Sequence, residues 1–415
     1  MKVLLVTLYF PPAGGGGVQR ALKLATHLPE LGIETHVLAP DDPKWIHRDE
    51  DLPAPTLAWV HRVRFVGPRG RRPAEELHGT AGLERYLRHA SLFGRRLLVP
   101  DENVSFNLTA IPAAIRIIRE EGIDVVVTTS PPGSIHLVGA AARAATGVRW
   151  VADLRDPLAG HPHRDISRML VRAKEQGQQG IAALVARNAD AIVAVSDAIA
   201  EEMRARSPRA PVVTIANGAD FDDFAGLAYA PGERFRITHA GSFFGQRSPR
   251  PFLSALARVD GVVARFVGEF RAADREWAAG ITDRNELVPY ASHRRALALE
   301  RDSEALLLLI PDAGGRGKGI LSGKVFEYLA AGRPILAVVP PDGAAASLIA
   351  QTGTGVVVAP DDVDGMEREL VALRDRFNAG TLAATSLSEE WRSRLSRRSR
   401  VEEFAELLHG MEPRS

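Results

Sequence analysis

The chain is predicted to fold as two α/β units, each a doubly wound parallel sheet, and three observations carry that prediction. Short apolar runs recur along nearly the whole chain with helical patterns between most of them. At 415 residues the chain exceeds what one core supports. The segment Gly218–Gly232 holds Asp, Gly and Pro without periodicity and divides the runs into two series. Alternation of this kind puts ligands at the carboxyl ends of the strands.

The first series reads Lys2–Phe10, Thr35–Ala39, Arg62–Val66, Asp124–Thr129, Arg149–Asp153, Ala191–Val195 and Val212–Ile215. The second reads Phe235–His239, Val262–Val267, Glu286–Tyr290, Ala305–Ile310, Ile335–Val339 and Gly355–Val358. The expected organisation is a first domain over 1–217, a linker over 218–232, a second domain over 233–385 and a terminal helical segment over 386–415. Lys2–Phe10 has a lysine and an apolar run like a signal peptide, but PPAGGGG follows where a cleavage site belongs, so it is read as a buried strand. No apolar run reaches the roughly 20 residues that span a bilayer.

Composition narrows the function. Fifty-two basic residues oppose 51 acidic ones for a net charge of +1, which argues against a general nucleic-acid binder. The absence of Cys excludes disulfides, thiolate zinc sites and thiol nucleophiles, and is compatible with a cytoplasmic setting.

The most informative stretch is Gly314–Pro334, GGRGKGILSGKVFEYLAAGRP. Ala305–Ile310 reads as a buried strand, Pro311–Gly323 as the loop leaving it, and Lys324–Ala331 as a helix stopped by Gly332 and Pro334. A helix start offers unpaired N–H groups and a positive dipole end to phosphate, and glycines allow close approach. Lys318 and Lys324 add full charges. Glu327, one turn in, suits a ribose diol rather than phosphate. The bland alternative is an ordinary βα loop with a surface glutamate; the ordered combination favours a nucleotide diphosphate. Pro11–Gly17 closes the first strand and opens a helix over Val18–Leu31, a second glycine-rich helix start that is either an anion cradle or only a tight turn. Gln19 and Arg20 follow and read equally as helix surface.

Taken in order, LYFPPAGGGGVQRALKLATHLPELG, VVVTTSPPGSIHLVG, VADLRDP, AIVAVSDAIAEEM, IANGAD, HAGSFFGQRSPRPFL and GKVFEYLAAGRPILAVVP resemble the GT-B-fold glycosyltransferases of family 4. The resemblance covers nearly the entire chain. It implies two Rossmann-like domains facing a cleft, the first for the acceptor and the second for a nucleotide-sugar donor, with the last helix (Leu387–His409) crossing back to the first domain. It implies transfer with retention of configuration to a saccharide or lipid-linked hydroxyl, in cell-envelope polysaccharide or glycolipid assembly, in the cytoplasm. No cofactor is expected, because the nucleotide sugar is a substrate. Gly15, Gly16 and Gly17 correspond to a loop that faces the donor phosphates in the family. His239–Arg247 resembles the family's donor-phosphate loop and contributes Gly241, Ser242 and Arg247. Lys318, Gly319, Ile320, Leu321, Lys324 and Glu327 complete the expected donor site.

This sequence departs from the family at three places. Ser242 stands where the family usually has Arg, leaving Arg247 and Lys324 to stabilise the charge that grows on the leaving group. Of the paired glutamates, Glu327 matches the second while the first falls on Gly319. Where a His usually faces the reacting centre, VADLRDP offers Asp153, Arg155 and Asp156. Asp156 either orients the acceptor or takes its proton, or merely caps the next segment while Asp153 pairs with Arg155. The expected catalytic residues are thus Asp156, Arg247 and Lys324.

No metal is expected. His161 and His163 lack an evident third ligand, and the strings Asp220–Asp222 and Asp362–Asp364 do not follow apolar strands. His136 and His239 read as packing or capping residues. The basic segment Arg62–Arg96 places Leu83, Tyr86, Leu87 and Ala90 at helical spacing, which suits either an anionic membrane surface or an amphipathic helix packed on the core. Two rival functions stay open, a nucleotide-sugar epimerase or hydrolase on the same fold and a non-catalytic nucleotide-sugar-binding subunit.

Overall fold

The computed structural model describes residues 1–41, 48–66, 94, 97–160, 169–243, 247–270, 272–281, 284–315 and 317–411. Two compact units emerge, one of Met1–Ala216 with the chain from Arg400 onward, the other of Asn217–Ser399.

The first unit has a seven-stranded sheet of β1 (Lys2–Thr7), β2 (Glu34–Pro40), β3 (Trp59–Val63), β4 (Val125–Ser130), β5 (Arg149–Leu154), β6 (Ala191–Ala194) and β7 (Val212–Thr214). Its order is β3-β2-β1-β4-β5-β6-β7, with neighbouring strands parallel. Helices α1 (Gly16–His27), α2 (Asn107–Glu121), α3 (His136–Thr146), α4 (Met169–Asn188) and α5 (Asp197–Arg204) lie between strands. The middle of β1 is apolar because both of its faces are covered: Val3 and Leu5 enter one core layer, Leu4 and Val6 the other.

The second unit has a six-stranded parallel sheet of β8 (Phe235–Ala240), β9 (Val262–Val267), β10 (Asn285–Val288), β11 (Ala305–Leu309), β12 (Ile335–Val338) and β13 (Gly355–Val358), ordered β10-β9-β8-β11-β12-β13. Its helices are α6 (Arg250–Ala257), α7 (Ala272–Ile281), α8 (His293–Arg301), α9 (Gly323–Ala331), α10 (Ala344–Thr352), α11 (Val363–Asn378) and α12 (Glu389–Leu395). A last helix, α13 (Arg397–His409), straddles the division between units. Its Val401, Phe404, Ala405 and Leu408, spaced along one helical face, join the layer of the first unit that holds Val3 and Leu5.

Several boundaries differ from the sequence reading. β1 stops at Thr7, short of Phe10. β3 runs over Trp59–Val63 instead of Arg62–Val66; it is an edge strand with mostly exposed side chains, so burial left no clear pattern to read. The expected helix Leu387–His409 is broken at Ser396, whose extended backbone pairs with Ala219. No described helix is long and apolar enough to cross a membrane. His161, His163 and nearly all of the basic segment beyond Val66 lie outside the described residues.

Candidate functional site

In the second unit the strand order reverses between β8 and β11, so the loops after these two strands diverge and open a crevice at their carboxyl ends. α9 begins in that crevice. Ser322 is its N-cap with no side-chain hydrogen bond, so the first amides of α9 are not capped by that hydroxyl. Gly241, the first residue after β8, has φ +156° and lies directly beneath the Lys324 side chain; a methyl there would meet Lys324 Cε. The Tyr328 hydroxyl accepts the Ala240 amide at 2.9 Å, which ties α9 to the end of β8. Tyr328 is fully buried, and burial first, then Glu300, pushes its phenol well above the usual range.

His239 shows how much positive charge gathers here. Its Nδ1–H donates to the Leu307 carbonyl at 2.8 Å, its ring packs on Phe243, and its Nε2 is buried without a partner. Burial pushes its pKa down to about 3, and the charges of Lys324 and Arg247 act in the same direction. Lys324 and Arg247, expected from the sequence, therefore converge on one neutral histidine. Burial also works against the Arg247 charge, with Tyr328 opposing that effect. The site is thus set up to gain from an incoming anion. Ser242 Oγ accepts the Glu269 amide at 3.0 Å.

The loop after β11 is a series of tight turns. Asp312 accepts the amides of Gly315 and Gly317, and Ile320 donates to Gly317. Ile320 and Leu321 pack against the core, while Gly319 sits between them and Lys318. Lys318 is spent differently from the sequence reading: its ammonium pairs with Asp342 at 2.5 Å while remaining half exposed. Exposed pairs of this kind are weak, so Lys318 reaches a ligand only by giving up Asp342. Lys324 and Glu327 stay partly exposed on α9.

In the first unit the reversal lies between β1 and β4. Gly15, with φ +90°, is the N-cap of α1, and Gly16 and Gly17 begin the helix. Arg155 donates to the carbonyls of Gly17 and Ser130, lashing the loops after β1, β4 and β5 together. Arg20 is a correction to the surface reading. It is buried and grips the fully buried Asp153 through two nitrogens, the closest at 2.8 Å, while Thr129 donates to the same carboxylate at 2.7 Å. Gln19 is buried as well. Asp153 thus pairs with Arg20 and not Arg155, and the half-buried Asp156 next to Arg155 is the carboxylate left at the strand end.

The acidic strings have structural duties. Asp362 caps α11 by accepting the Gly365 amide at 2.7 Å, and Asp220 pairs with Arg397 at 2.9 Å. Among the described residues no group of three His or acidic side chains is placed to hold a metal. His136 packs inside the first unit against Trp150 and shares the Thr128 hydroxyl with it. Sequence reasoning missed Tyr328 and Glu300; Tyr328 reads as core spacing, and Glu300 looks like one charge in a charged helix.

The family described as "Glycosyl transferase 4-like domain" matches residues 15–218. Residues 15–218 carry this domain, and the fold over the whole length is that of the GT-B proteins. The chain superposes on sucrose-phosphate synthase from Thermosynechococcus elongatus with a TM-score of 0.67 at 16% identity, over 99% of this chain and 98% of that one. It matches Anabaena HepE in complex with UDP-glucose at a TM-score of 0.64 and 15% identity, covering 99% and 100% of the two chains. The lipopolysaccharide outer core galactosyltransferase WaaB, in its apo form, follows at 0.56 and 14% identity, with 99% and 100% covered. No curated protein matches the sequence.

Proposed function

We propose that the protein is a glycosyltransferase that takes its sugar from a nucleotide-diphospho sugar bound in the second unit and passes it, with retention, to a hydroxyl acceptor. The observation that carries this reading is the convergence of Gly241, Arg247 and Lys324 at the start of α9, with Glu327 one turn further. In this reading the helix start, Lys324 and Arg247 take the diphosphate, and Glu327 accepts from the ribose diol. Ser242 and the backbone of Gly319–Leu321 border the sugar, and Lys318 joins the phosphates after leaving Asp342. The UDP-glucose held by HepE on the same fold supports a donor of this class.

In the first unit Gly15–Gly17 offer amides to an anion, and Asp156 orients the acceptor hydroxyl. The bond from the anomeric carbon to the diphosphate breaks as the acceptor oxygen bonds to that carbon on the same face. The acceptor's proton passes to the departing phosphate, and nucleoside diphosphate leaves. Lys324 and Arg247 stabilise the charge that grows on it, and no metal takes part. The family resemblance puts the acceptor among saccharides or lipid-linked hydroxyls of cell-envelope assembly, at the cytoplasmic side.

Isothermal titration with nucleoside, nucleoside diphosphate and intact donor tests the assignment. Glu327→Gln keeps size and an acceptor oxygen but loses charge, so all three ligands should weaken by about 1–3 kcal/mol. Lys324→Ala should weaken the two diphosphates far more than the bare nucleoside. Unchanged affinities in both variants would place the nucleotide elsewhere. Donor incubated alone should yield neither epimer nor free sugar at the transfer rate; either product would favour the epimerase or hydrolase reading.

A further inference from the structure

One titratable group beside this site has no role in the reading above. Glu300 lies in the last turn of α8, is 1% exposed, and has no hydrogen-bond partner at either carboxylate oxygen among the described residues. α8 packs against α9, β8 and the turn Phe221–Phe224. From α9, Glu327, Lys324 and Tyr328 act on it or feel it. From β8 come His239, which is neutral, and Arg236, which is committed to Glu304 at 3.0 Å. From the turn comes Asp223, paired with His293 at 3.7 Å.

An ionised carboxylate without hydrogen bonds in such a place costs far more than a neutral one, and a second carboxylate close by raises that cost. Burial pushes Glu300 well above the usual carboxylate range, Glu327 pushes the same way, and Lys324 alone opposes them. We propose that Glu300 is a positioning residue of the donor site, an uncharged carboxyl behind α9 that leaves the charge of Lys324 free for the ligand. This rests on the donor reading of the preceding section. An ionised Glu300 would draw Lys324 inward and add a negative charge behind the diphosphate. Donor binding in turn occupies Lys324 and brings more negative charge, so it should favour protonated Glu300. The two effects are reciprocal.

Two measurements on the full chain test this. Infrared difference spectra at neutral pH, parent against Glu300→Gln, should show a protonated carboxylic-acid carbonyl band only in the parent. Its absence from the parent overturns the proposal. If Glu300→Gln unfolds, titrating the parent alone carries the test, because the band must vanish as pH rises. Calorimetric titrations with UDP, GDP, ADP and dTDP across pH form the second arm. Parent affinity for the binding nucleotide should fall as pH rises through the Glu300 titration, about tenfold for each unit by which binding shifts that group. Glu300→Gln, which mimics the neutral acid, should hold its affinity over the same range. Parallel pH curves would sink the Glu300 role alone. Failure of all four nucleotides to bind the parent would instead sink the donor reading, and the positioning role with it.

Discussion

Replacing Gly241 by Ala tests the placement of Lys324 without touching its chemistry. A methyl at this position meets Lys324 Cε and comes within 3.3 Å of both Lys324 Nζ and His239 Nε2. His239 cannot yield, since its Nδ1 is held by the Leu307 carbonyl at 2.8 Å and its ring packs on Phe243 and Phe266. The far end of the flexible lysine moves instead. Overpacking relieved in this way, added to an alanine held at φ +156°, should cost about 2–4 kcal/mol of stability. Losing a charge-assisted contact to phosphate is read separately, as about 1.5–3 kcal/mol, or roughly ten- to a hundredfold in affinity. Urea denaturation gives the first quantity, and titration with nucleoside and nucleoside diphosphate gives the second. The expected result is a diphosphate-specific loss with the nucleoside unchanged. If both ligands weaken equally, or the diphosphate binds Gly241→Ala as it binds the parent, Lys324 does not serve the phosphates from this position.

Arg20→Ala should strand the fully buried Asp153 and cost about 3–5 kcal/mol in urea denaturation, most of it recovered when Asp153 is also made apolar. A loss near zero would mean the pair is not buried as described. His136 and His239 are both held neutral by burial, each pushed down to about 3 from an ordinary 6.5, so the unfolded chain binds more protons between those values. Stability should be full above that ordinary value and fall as pH drops below it, by up to about 1.4 kcal/mol per pH unit for each histidine. Denaturation at pH steps should show a shallower fall for the double substitution by Asn, and an equal fall would refute the assignment. Turnover should survive EDTA; activity restored only by Mg²⁺ or Mn²⁺ would overturn the metal-free mechanism.

The fold was legible because strands covered on both faces print apolar runs, as in β1, β11 and β12, and because Gly and Pro mark where these runs stop. β3 was misplaced because an exposed edge strand carries no such run. The loops after β8 and β11 were legible as glycine-rich and basic, but not the way Lys324 lies over Gly241, which depends on residues far apart in sequence. Arg20 and Asp153 are 133 positions apart, so nothing local announces their pairing, and a buried arginine reads like any helix-surface arginine until its carboxylate is found. Asp342 likewise claims Lys318 from a different loop. Glu300 was invisible because ALERDSE is a normal charged helix end, and only packing against α9 removes its water.

The split make-up of the first unit has a consequence for how the chain is made. Val401, Phe404, Ala405 and Leu408 close the layer over Val3 and Leu5, yet a ribosome translates them only after the whole second unit. The first sheet therefore waits while the whole second unit is made with part of one apolar face uncovered, a period in which chaperone binding or aggregation competes with folding. The second unit, continuous from Asn217 to Ser399, carries no such debt and can mature as it emerges.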